Sequence, residues 1–161
     1  MIIIRANKKD IKIAINYKKK MAKAMTNFDI PVSFEEINFN KVEENLLKDL
    51  DNKDFYFLLL KNKDKYIGFI NFSINKFPNL IVDKYMLNIS SVFIDEEFRR
   101  KGFAETLSNY AIKIGKKHNC VQVELNVFEK NPAKFLYKKM GFSTLDLNMK
   151  YDLVSLQNIA P

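Results

Sequence analysis

The sequence is poor in the residues that make special sites: one cysteine, one histidine, four glycines, four prolines and no tryptophan. A lone thiol, Cys120, cannot close an internal disulfide, which removes the class of small cross-linked scaffolds. Cys120 and the single imidazole of His118 are too few soft ligands for a transition-metal centre, so no metal is expected. No apolar run approaches the roughly 20 residues of a membrane span, and Met1 to Arg5 is too short for the apolar region of a signal peptide. The expectation is a cytoplasmic protein with no membrane partner. Neither G-x-G-x-x-G nor G-x-x-x-x-G-K-S/T occurs, which argues against a generic nucleotide-binding domain. Arginine is scarce too: Arg5, Arg99 and Arg100 are the only three among 27 basic residues.

Apolar material is plentiful. With 161 residues, 47% of them hydrophobic and 14 of them phenylalanine, the chain suits one domain over 1–161 with a real core, and disorder is excluded. The net charge of +8 is carried by lysines dispersed among acids. That pattern reads as a solvated surface, not a nucleic-acid-binding stripe, and no nucleic-acid partner is expected; the positive field would help to attract an anionic cofactor.

Periodicity predicts a strand over Ile2 to Arg5 and a lysine-rich helix from about Lys8 to Met25, whose apolar stripe is interrupted by Lys18. Ser33 is a candidate N-cap for a second helical region within Phe34 to Leu50. Phe55 to Lys61 and Lys65 to Ile74 read as strands joined by a turn at Asn62-Lys63-Asp64, with Gly68 at a bulge or a close packing contact. Asn75 to Lys84 reads as a loop. A strand over Met86 to Ile94, a helix from about Gly102 to His118 and a strand over Val121 to Val127 follow. Asn131-Pro132 has the form of an N-cap and first residue of a short helix ending near Met140, with Gly141 as its exit. Phe142 to Leu145 and Leu147 to Leu153 form a candidate closing hairpin.

Arg99-Arg100-Lys101-Gly102-Phe103-Ala104 lies between the Met86 strand and the Gly102 helix. A glycine-containing turn opening onto a helix N-terminus presents unpaired N–H groups and the positive end of a dipole, which suits pyrophosphate. The spacing R-x-x-G-x-A resembles the pyrophosphate motif of the GNAT N-acetyltransferase superfamily. Asn131, Ala133, Leu136, Tyr137, Gly141 and Phe142 resemble that family's downstream N-x-x-A-x-x-L-Y-x-x-x-G-F pattern, with Asn131 six residues before Tyr137 where seven is usual. The likeness covers about Gly68 to Asp152.

This resemblance implies an α+β fold with a mixed, mostly antiparallel sheet flanked by helices and splayed between strands 4 and 5. It implies acetyl-CoA as co-substrate, with coenzyme A as product. Its pantetheine arm would lie against the backbone of Val92, Phe93 and Ile94. Its phosphates would meet Arg99, Arg100, Lys101 and the N–H groups through Gly102, Phe103, Ala104 and Glu105. The implied activity is acetyl transfer to a primary amine of a small molecule or peptide, with Tyr137 as the acid that protonates the leaving sulfur and as a cofactor contact, and with Asn131 as a ligand, a helix cap or both. The alternative is a non-catalytic acyl-CoA-binding or regulatory module.

Read as residues, Arg99 and Arg100 also fit a solvated helix cap. Glu124 fits either a general base or an ordinary strand glutamate, and Ser90 and Ser91 fit either ordinary strand residues or an aid to acceptor binding. His118 reads as a helix-end residue and Cys120 as a small buried apolar one. Exposed sheet edges leave room for a homodimer.

Overall fold

The computed structural model describes residues 1–28, 32–77 and 83–150. A five-stranded sheet runs in the order β1 (Ile2–Arg5), β2 (Phe55–Asn62), β3 (Lys65–Lys76), β4 (Tyr85–Ile94) and β5 (Cys120–Leu125). Every neighbouring pair is antiparallel except β4 and β5, which are parallel. The parallel pair requires a crossover, and α3 (Phe103–Lys117) supplies it. Helices α1 (Ile11–Met25) and α2 (Phe39–Asp49) precede β2, and the short α4 (Ala133–Lys139) follows β5.

The sheet is apolar on both faces, so β2 and β3 read as continuous apolar runs and not as alternation. Leu58, Leu60, Ile70, Phe72, Leu87 and Ile89 pack with Leu107 and Ala111 of α3. Phe57, Leu59 and Phe69 form a second core with Ala14, Ile15 and Tyr17 of α1 and Leu46 of α2. Helix α1 is further tied to the end of β4: the Tyr17 hydroxyl donates to Asp95 at 3.1 Å, and Lys20 pairs with the same carboxylate at 2.7 Å. Burial first, and then the Asp95 charge and hydrogen bond, raise the Tyr17 phenol well above its ordinary range.

Two local features shape β4. The register passes from Phe72↔Ile89 to Asn71↔Ser91, leaving Ser90 as an extra residue that bends the strand. A Cβ added at Gly68 would lie 2.4 Å from the Phe93 carbonyl oxygen, so the glycine permits close approach of β3 to β4, as the sequence suggested.

Several boundaries differ from the periodicity reading. Lys8–Asp10 is a 3-10 turn capped reciprocally by Asn7 and Asp10, and α1 starts only at Ile11. The second helical region divides into a 3-10 turn at Phe34–Glu36, boxed by Ser33 and Glu36, and α2, capped by Asn38. Asn75 and Lys76 extend β3, and Tyr85 starts β4, shortening the expected loop; its residues 78–82 lie outside the described residues. Strand β5 stops at Leu125 because β4 has already diverged, leaving Asn126 and Val127 no β4 partner. The candidate closing hairpin is corrected as well: 142–150 form no strand, and Leu145, Leu147 and Met149 are exposed. Asp146 and Asn148 are poor strand formers, and apolar alternation without a paired neighbour is insufficient. The remainder of that hairpin, 151–153, falls outside the described residues.

Candidate active site

The last β4–β5 partners are Ile89 and Leu125. Beyond them β4 continues through Ser90 to Ile94, paired with β3 on one edge only among the described residues. The outward backbone groups of Val92 therefore line an open split, where an extended amide-containing chain could pair as an added strand, whereas the Phe93 carbonyl points across to β3 at Gly68, which corrects the expectation that Phe93 offers its backbone to the cofactor arm. Ile94, the next outward residue, has its carbonyl already engaged: it accepts the Arg99 Nε–H at 3.0 Å.

That bond belongs to the turn leading into α3. The Arg99 guanidinium is folded back on β4, 5.6 Å from the Phe93 ring centroid, and the Lys101 ammonium donates to the Glu97 carbonyl at 2.9 Å. Arg100 makes neither a hydrogen bond nor an ion pair among the described residues, and its φ of 59° is left-handed, a conformation that costs a non-glycine residue about 1 kcal/mol. Gly102 follows at φ 80° as the N-cap of α3. Nothing lies within 4 Å of the position a Cβ would take there. The glycine thus serves the backbone conformation and leaves open space before the helix.

The first α-helical bond runs from the Thr106 N–H to the Gly102 carbonyl, at 2.9 Å. Phe103, Ala104 and Glu105 accordingly present N–H groups without helical acceptors, at the positive end of a 15-residue helix. The turn can receive a multiply charged anion through backbone donors, with Arg100 as the cation free to meet it.

Helix α4 stands beside this turn, its Lys139 ammonium 3.9 Å from the Glu105 carboxylate. Asn131 Oδ1 accepts the Ala133 N–H at 2.9 Å, which makes the asparagine a cap in fact. Bonds from Gly141 N–H to the Lys138 carbonyl and from Phe142 N–H to the Tyr137 carbonyl close the helix, with Gly141 at φ 92°. Tyr137 is buried edge-on against Phe142, and burial pushes its phenol up to about 12. It is therefore a protonated donor throughout the neutral range.

The opposite face of the split carries Lys18 and Asn71, which the sequence reading gave no role in a site, beside Ser91, which it weighed as an aid to acceptor binding. Lys18 Nζ donates to Asn71 Oδ1 at 3.0 Å and to Ser91 Oγ at 3.2 Å, above the rings of Phe57 and Phe69. Burial lowers its ammonium to about 8, an effect that the charge of Asp49 partly offsets. Two signals were present: Lys18 breaks an apolar helical stripe, and Asn71 is a polar residue inside an apolar strand. Only the fold brings them together with Ser91.

Glu124 lies on this same face of β5, because its neighbours Val123 and Leu125 pack on the α3 side. Gln122 Nε2 donates to Glu124 Oε1 at 2.7 Å. His118 sits at the far end of α3, with Nε2 3.2 Å from the Tyr56 hydroxyl, and takes no part in the split. The Cys120 thiol is raised by burial beside the α3-side core, which suppresses thiolate chemistry.

Comparison with known proteins agrees with the fold. The family described as "Acetyltransferase (GNAT) family" matches residues 22–142. Among solved structures, the chain is similar to a mutant of the BH1408 protein from Bacillus halodurans, with TM-score 0.80 and 19% identity over 96% of this chain and 100% of that one. It is similar to an acetyltransferase from Trypanosoma brucei, with TM-score 0.68 and 17% identity over 94% and 98%. It also resembles AAC(6')-Iy in complex with the bisubstrate analogue CoA-S-monomethyl-acetylneamine, with TM-score 0.68 and 16% identity over 94% and 96%. At these identities the structural likeness establishes the fold.

Proposed function

Because the chain belongs to the GNAT acetyltransferase family, we propose that it transfers the acetyl group of acetyl-CoA directly to a primary amine. The observation that carries this reading is the unpaired edge of β4 beyond Ile89, continuous with the donor-rich turn at Arg100 to Glu105. An elongated cofactor with amides in its arm and phosphates at its far end matches both. AAC(6')-Iy, of the same fold, holds a CoA-linked analogue.

Val92 would pair with the arm, while Arg100 and the N–H groups of Gly102, Phe103, Ala104 and Glu105 would hold the phosphates. Arg99 and Lys101 would act mainly by shaping that turn and raising its local positive potential. The acceptor nitrogen, as the free amine, bonds to the thioester carbonyl carbon. The carbon–sulfur bond breaks, the departing sulfur takes the Tyr137 phenolic proton, and the proton lost from the new amide nitrogen restores the phenol through solvent. A phenol held up to about 12 remains protonated until that sulfur develops charge. Glu124, fixed by Gln122, would receive the proton that the acceptor ammonium must shed.

Calorimetric titration with coenzyme A and thermal melting with acetyl-CoA test the premise. At about 100 times the dissociation constant, the melting midpoint is expected to rise by about 5–10 °C, because the ligand binds only the folded chain. Absence of both heat and shift at millimolar cofactor would remove the reading.

A further inference from the structure

Helix α1 crosses the mouth of the split on the face opposite α3. Lys18 reaches the β4 lip through Ser91. Farther along, at a distance of about 15 Å for helical rise, Phe28 reaches the β5 lip and stacks on Phe128, with ring centroids 6.0 Å apart and planes 19° apart. Glu124 occupies the β5 lip on the same face. The space under α1 is thus bordered by a cation on one side, a carboxylate on the other and an aromatic pair at the helix end.

The geometry points to an α-amino acid with an apolar or aromatic side chain as the acceptor, its amine beside Glu124, its carboxylate on Lys18 and its side chain against Phe28 and Phe128. This rests on the acetyl-transfer reading and names the substrate class of that site.

The spacing supports it. Glu124 is in register with Asn88, and Ser91 stands three residues farther along β4, about 10 Å at the rise of a strand. An ammonium has three donors, and the bonds to Asn71 and Ser91 use two of Lys18's. The charged group from α2 that acts on Lys18 is Asp49, while the strands beneath contribute Phe57, Phe69, Asn71 and Ser91, none of which titrates near neutrality.

A polycationic amine would meet Lys18 as a like charge, whereas a carboxylate neutralises it. In the transfer, a nitrogen–carbon bond forms as the nitrogen gives up a proton, the carbon–sulfur bond breaks, and the sulfur receives a proton. The product is an N-acetyl amino acid. Its uncharged amide no longer attracts Glu124, which favours release.

The test compares L-phenylalanine with phenethylamine, which has the same ring and an amine but no carboxylate, and with spermidine, reading product mass and initial rates. Phenylalanine is expected to exceed phenethylamine in kcat/KM by about ten- to hundredfold, the range of a charge-assisted hydrogen bond. Lys18→Met should bring the two within about threefold, chiefly through the KM of phenylalanine, and Lys18→Arg should keep the preference. Phe128→Ala, at a position 41% exposed, should reduce discrimination between phenylalanine and glycine. If Lys18→Met does not fold, the wild-type ratio and Phe128→Ala decide.

Better turnover of spermidine or phenethylamine, or a Lys18→Met variant with its ratio intact, would overturn the assignment. Coenzyme A titration separates the two levels. Cofactor binding with transfer only to carboxylate-free amines refutes the acceptor class alone, while absence of cofactor binding removes the acetyl-transfer reading and the acceptor class with it.

Discussion

Seven consecutive residues, 99–105, form the anion-facing turn at the head of α3, whereas Lys18, Asn71, Ser91 and Glu124 on the α1 side come from α1, β3, β4 and β5. The turn works mainly through backbone donors at the protein surface, where water can substitute for a missing ligand. The α1 side works through side chains, one of them an ammonium that burial holds at about 8. A backbone site is set by local conformation and tolerates varied side chains; a side-chain site depends on packing and on the identity of each residue. The first suits a cofactor common to a whole family, and the second suits an acceptor particular to one member.

The sharpest test of that separation is Tyr137→Phe. If the buried phenol supplies the sulfur's proton, single-turnover transfer should fall by about 10²–10⁴-fold. On the acetyl-transfer reading Tyr137 acts on the leaving sulfur and not on the acceptor, so the loss should be the same for every acceptor, with little change in coenzyme A affinity. A loss confined to one acceptor would merge the two regions. An unchanged single-turnover rate would leave Tyr137 as a packing residue against Phe142.

Gly102 tests the turn itself. Gly102→Ala adds only the cost of a side chain at φ 80°, about 1 kcal/mol, because its Cβ meets no atom. Gly102→Asp adds a negative charge in the space before α3 and should weaken coenzyme A by about a hundredfold. The Asp variant should be clearly worse than the Ala variant, and Arg5→Ala should leave affinity unchanged, since the Arg5 guanidinium is engaged with the Lys53 and Phe55 carbonyls. Calorimetry that found the Asp and Ala variants alike would show that phosphate does not approach this turn.

The same contrast explains what could be read before the fold was known. The turn, the Asn131 cap, the Gly141 exit and the strands up to β4 depend on contiguous residues and local periodicity, so their places in the sequence were legible. The Lys18 cluster was not, because its members are brought together by strand pairing and by the docking of α1, and the Ser90 bulge that turns Ser91 toward α1 has no local marker. The end of β5 failed for a related reason: Asn126 and Val127 resemble strand residues, but the strand needs a partner that β4 no longer provides. The hairpin expected after Phe142 followed alternation alone and had no means of locating a neighbouring strand.

Lys18 also offers a test that needs no substrate. Its native ammonium titrates at about 8 against an ordinary 10.5. Between those values the unfolded lysine keeps a proton that the native one has released, so the unfolded state binds more protons and stability rises with pH. Below pH 8 both states are protonated and the burial penalty is borne in full. From pH 8 to 9.5 the native chain should gain about 1.5 kcal/mol from this group, seen as a higher urea midpoint. The raised phenols of Tyr17 and Tyr137 act oppositely above about pH 10, where tyrosine in the unfolded chain ionises, and the raised Cys120 thiol acts oppositely within the window itself, so the Lys18 share is the part that its variants remove. Lys18→Met removes the titration and Lys18→Arg keeps its charge throughout, so both variants should lose most of the rise. A slope that survives in both would assign the pH dependence to other groups and leave Lys18 no more special than the exposed Lys101 of the turn.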